Sequence, residues 1–65
     1  MLTEAAFYSL RTIARNHGFY DVLDALADIA KENALDYADA KLDQPAASFT
    51  RAEKGLRDLA ERLSV

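Results

Sequence analysis

Three features of this 65-residue chain predict an all-α fold. No stretch alternates apolar and polar residues, apolar side chains recur at spacings of three and four, and turn-forming residues fall where helices should end. The expected architecture is a small three-helix bundle in a single domain, residues 1–65. Helices over about residues 4–17, 21–43 and 50–63 are predicted, with a tight hairpin between the first two and a long central helix. Self-association would complete a thin core. Hydrophobic residues make up 51% of the chain, but 13 of them are alanines, which favour helix and bury little area. There is no cysteine to staple so short a chain, and oligomerisation is the usual alternative.

Helix one begins after Thr3, an N-cap residue type followed by Glu4 at the positive end of the helix dipole. Its apolar stripe is Ala6, Phe7, Leu10, Ile13, Ala14 and His17. Gly18 is placed to adopt the left-handed conformation of a Schellman stop, with Phe19 packing back on Ala14. His17, the one histidine, reads as a corner or capping residue, since sequence supplies no nucleophile or orienting acid for a general base. Arg11 and Arg15 share a face with Tyr8 and read as solvated arginines beside acids of a neighbouring helix.

Helix two is expected to start with Asp21 as N-cap and to end at Asp43-Gln44-Pro45, because the residue before proline disfavours the helical conformation. Its apolar face is Val22, Leu23, Leu26, Ile29, Ala30, Asn33, Tyr37 and Ala40. Within that face, Leu26, Ile29, Asn33 and Tyr37 are the expected homodimer interface. A buried Asn in such a seam pairs with its symmetry mate and fixes register. Pro45-Ala46-Ala47 reads as a linker and Thr50-Arg51-Ala52-Glu53 as a capping box that opens helix three. The last helix carries a short heptad-like seam of Phe49, Ala52, Leu56, Leu59 and Leu63.

The feature with most bearing on function is a row of seven carboxylates on helix two: Asp21, Asp24, Asp28, Glu32, Asp36, Asp39 and Asp43. At about 100° per residue their spacings keep them within a sector of roughly 120°, opposite the apolar face. Residues 21–43 carry those seven acids against Lys31 and Lys41, while the remainder of the chain is mildly basic. Like charges at i,i+4 repel, so helix stability does not account for the row. Leu35 and Leu42 lie on its flank, away from the main apolar face, where apolar anchors would lend affinity to a charged contact.

Ile13-Ala14-Arg15-Asn16-His17-Gly18-Phe19 resembles the corner of a DNA-binding helix–turn–helix unit, with an alanine four residues before a turn glycine. The match stops there. Asp24 stands where a buried apolar residue belongs, and the would-be recognition helix carries the acidic row, which repels phosphates. Direct nucleic-acid binding is therefore not expected. Asp21-x-x-Asp24 and Asp36-x-x-Asp39 look like metal-holding pairs but lie about 22 Å apart on one helix, too far to share an ion. Neither a metal nor a cofactor is expected. The longest apolar run is three residues and the N-terminus lacks a basic segment followed by an apolar one, so neither membrane insertion nor a signal peptide is expected. The expected compartment is the cytoplasm.

These observations point to a small non-enzymatic protein-interaction module, an inhibitor or regulator of the kind phages encode. Its partner-binding residues would be the seven carboxylates with Leu35 and Leu42, offered to a basic protein surface. A nucleic-acid-mimicking decoy is the sharpest form. The alternatives are a homo-oligomeric helical scaffold or adaptor, or a metal-dependent hydrolase whose carboxylate site forms across a dimer.

Overall fold

The computed structural model describes residues 1–64; Val65 and the Ser64 side chain lie outside the described residues. The fold is all-helical, with two helices rather than the expected three-helix bundle: α1, Glu4–Asp39, and α2, Asp43–Ser64.

Helix α1 is bent, and its two arms correspond to helices one and two of the sequence reading. Thr3 caps it as expected, with an extended backbone and a side chain that accepts a hydrogen bond from the Ala6 amide at 3.1 Å. At Gly18 the backbone leaves the helix for one residue only, with φ 84° and ψ 159°. This is not the left-handed Schellman stop predicted there. It is an extended positive-φ conformation that only glycine adopts without strain. Helix resumes at residue 19, so Asp21 is an early helical residue instead of an N-cap. A carboxylate there still complements the positive end of the carboxy-terminal arm.

The Schellman motif lies further along. Lys41, at φ 61°, occupies the left-handed position. Its amide donates to the Ala38 carbonyl at 3.0 Å, and the Leu42 amide donates to the Tyr37 carbonyl at 2.8 Å. The central helix therefore stops at Asp39, not Asp43. Pro45 does not terminate it; proline instead occupies the first turn of α2, where a missing N–H costs nothing because that amide has no intrahelical partner. The expected Thr50–Glu53 capping box is helix interior: Thr50 donates its hydroxyl to the Ala46 carbonyl at 3.0 Å.

A short turn forces the carboxy-terminal arm of α1 (residues 19–39) and α2 to run antiparallel. They meet on alanine: the buried core is Ala27, Ala30, Ala34, Ala46 and Ala60. Small side chains let helix backbones approach closely but bury little apolar area. Half-buried Leu23, Phe49, Glu53 and Leu56 flank these positions. The contact stripe of α2 is thus 46, 49, 53, 56 and 60, still spaced by threes and fours but rotated from the predicted seam. Ala52, Leu59 and Leu63 are exposed. Tyr37 and Phe49 stack across the pair, with centroids 5.5 Å apart and planes 9° from parallel.

The amino-terminal arm (residues 4–17) leaves this pair at the bend. Its apolar stripe remains open: Phe7, Leu10 and Ile13 are all exposed. No helix among the described residues is long and apolar enough to cross a membrane.

Candidate functional site: an acidic helix face clamped at one edge

The carboxy-terminal arm presents six of the seven predicted carboxylates, from Asp21 to Asp39, over about 27 Å of helix. Asp43 does not continue the row, because it belongs to the first turn of α2. All six side chains are exposed. Ala30 and Ala34 project to the opposite side, so packing against α2 leaves the row in solvent.

The row is not uniform. Arg57 reaches from α2 to its edge and donates from Nη1 to Asp24 Oδ1 at 3.2 Å and from Nη2 to Asp28 Oδ1 at 2.9 Å. The same guanidinium is held by Glu53, one turn earlier on α2, through Nε–Oε2 at 3.0 Å. A planar fork with several fixed donors suits this three-carboxylate arrangement. Hydrogen bonding to Asp28, then to Glu53, raises the Arg57 pKa further above its ordinary value. The guanidinium is therefore charged at every ordinary pH. Asp24 and Asp28 thus hold α1 to α2, and what sequence assigned to a partner is shared with the fold. Glu53 was legible as an i,i+4 partner of Arg57; Asp24 and Asp28 come to it only through tertiary packing.

Asp21, Glu32, Asp36 and Asp39 form no ion pair among the described residues. Asp36 and Asp39 stand in the last turn of α1, which contains no basic residue. The helix dipole disfavours a carboxylate at that end by about 0.3–1 kcal/mol. Beside them Leu35 is 58% exposed and Leu42 49%, so α2 does not cover either.

The predicted dimer-seam residues divide. Asn33 is half-buried, Tyr37 is engaged with Phe49, and Leu26 and Ile29 are exposed on the inner side of the bend. There a concavity of about 350 Å³ is lined by Leu10, Ile13, His17, Val22, Leu26 and Ile29. His17 thus sits at the corner, as expected of it. Arg11 and Arg15 border a second hollow with Phe7, Leu10 and Phe19; neither arginine pairs with an acid among the described residues. No group of three His, Cys, Asp or Glu side chains suited to a metal ion occurs among the described residues.

Comparison with protein-family models, with curated proteins and with solved structures finds no match to this chain.

Proposed function

We propose that this chain is a small non-enzymatic interaction module that offers the free carboxylates of α1, with Leu35 and Leu42 beside them, to a basic protein surface. The observation that carries this reading is the end of the row. Asp36 and Asp39 oppose the helix dipole, have no countercharge among the described residues, and adjoin two uncovered leucines. Residues that cost helix stability without an internal partner are well explained by an external one. Carboxylates placed this way steer a basic partner and set its orientation, while the leucines contribute apolar contact.

The narrower form of the reading is a decoy for a nucleic-acid-binding groove. The free carboxylates Glu32, Asp36 and Asp39 follow one another at about 4.5–6 Å along the axis, a line of negative charge of the kind a nucleic-acid strand presents. A small inhibitor or regulator in the cytoplasm is the setting that suits it.

The test uses Asp36→Lys with Asp39→Lys, which spares the Arg57 clamp. The immobilised wild type and the double variant are exposed to native-host extract at about 50 and about 500 mM salt, which brackets strong and weak screening. A specific protein retained by the wild type at low salt, and lost both at high salt and with the double variant, is the expected result. Equal retention by a double variant that melts like the wild type would remove the acidic face from the proposal.

A further inference from the structure

The described chain is too open for its size. Its accessible surface is 5316 Å², whereas a compact chain of 7.2 kDa exposes about 4,100 Å². Its radius of gyration is 13.4 Å, against about 10.8 Å for a compact domain of this length. The excess surface is about 1,200 Å². A standard interface removes about 800 Å² per partner, and obligate homodimers remove more. Part of the exposed apolar surface flanks the bend. Phe7, Leu10 and Ile13 on one arm and Phe19, Leu26 and Ile29 on the other are exposed.

Charge identifies what fits there. On the amino-terminal arm the apolar stripe is bordered by Arg11 and Arg15, and the arm as a whole carries two arginines against Glu4. On the carboxy-terminal arm the stripe of Val22, Leu26 and Ile29 is bordered by Asp21, Glu32 and Asp36. At about 100° per residue, Asp36 lies only about 20° from Ile29 around the helix. Each arm is therefore an apolar strip with a charged margin, and the two margins have opposite sign.

We infer that a second copy of this chain occupies the bend. In this two-fold dimer the amino-terminal arm of each copy lies on the carboxy-terminal arm of the other. A two-fold contact repeats itself, so one favourable arm-on-arm pairing is formed twice. Pairing like arms instead would set arginines against arginines and acids against acids. The crossed arrangement also supplies the apolar cover that an alanine core lacks. It uses both hollows at the bend, with Leu26 and Ile29 but without Tyr37, and leaves Leu35, Asp39 and Leu42 free.

The experiment is sedimentation equilibrium over a concentration series on four samples. These are the wild type, Arg11→Glu with Arg15→Glu, Asp21→Arg with Glu32→Arg, and an equimolar mixture of the two variants. The wild type is expected to dimerise. Each variant alone faces like charges in both contacts and should dimerise about tenfold more weakly or worse. In the mixture every arm again meets the opposite sign, so the heterodimer should recover wild-type affinity. Ile13→Lys and Ile29→Lys, at positions already exposed in one chain, should each abolish the dimer. A wild type that stays monomeric overturns the inference. If that monomer binds anionic vesicles, the face belongs to lipid; if it does not, the face has no such role. A dimer indifferent to the reversals, or a mixture that fails to recover, also overturns it. Asp36 borders this contact as well as the proposed partner face, so Asp39→Lys, which lies outside the dimer contact, separates the two readings: it should weaken partner retention and leave the dimer unchanged.

Discussion

Replacing Gly18 with alanine sets two conformations of α1 against each other. In the bent form the new residue must hold φ 84° and ψ 159°, a region that costs a non-glycine residue about 1–3 kcal/mol. Crowding adds nothing, because a Cβ at Gly18 meets no atom within 4 Å. A straight helix instead gains about 1 kcal/mol, the difference in helix propensity between alanine and glycine. The substitution therefore shifts the balance by about 2–4 kcal/mol toward a continuous rod. Straight, the 36 residues of α1 would span about 54 Å, well beyond the 37 Å longest dimension of the bent chain.

The chain has no cysteine, so spin labels at Ala5→Cys and Ala38→Cys report on α1 alone when diluted with unlabelled protein. In a continuous helix their attachment points lie about 50 Å apart. Gly18→Ala is expected to move the electron–electron distance toward that value, while the parent gives a shorter one. A distance distribution that does not move, together with an unchanged melting temperature, would refute the argument that glycine's conformational freedom makes the bend.

Two further substitutions probe the alanine-lined helix pair. Ala27 is fully buried between the helices, so Ala27→Leu should cost about 1–3 kcal/mol by overpacking. Ala47→Leu, at an exposed position about 150° around α2 from its buried stripe, serves as the control, and the denaturant midpoint is the readout. Lys41→Gly relieves a left-handed residue at the turn and should stabilise the fold by about 1 kcal/mol, which is about 4–8 °C in Tm for a domain of this size. A fall in Tm would show that the Lys41 side chain contributes more than its backbone strain costs.

Much of the local structure follows from residue type in sequence. Thr3 caps because its hydroxyl reaches an amide three residues on, and Gly18 interrupts because it alone tolerates that backbone conformation. The carboxylates share a face because their spacing matches the helical turn. These are interactions over one or two turns, so they are legible in one dimension. Helix limits near Pro45 were not. Proline is compatible both with ending a helix and with opening one, and the choice fell to the turn at Ala40–Leu42, which reverses the chain so that α2 can pack.

The candidate site divides along the same line. That a row of acids exists, opposite the apolar residues, is a property of spacing alone. Which acids are free is a property of packing. Arg57 lies 33 residues from Asp24 and 29 from Asp28, and no periodicity links them. The core was misread for a related reason. Hydrophobicity favours Leu26, Ile29, Leu59 and Leu63 as interior residues, yet two helices joined by so short a turn approach most closely along their smallest side chains. Sequence by itself determined that this chain is helical, capped at Thr3, broken at Gly18 and acidic along one side. Only the tertiary structure decided that alanine would form the inside, leaving the large apolar side chains of both arms uncovered.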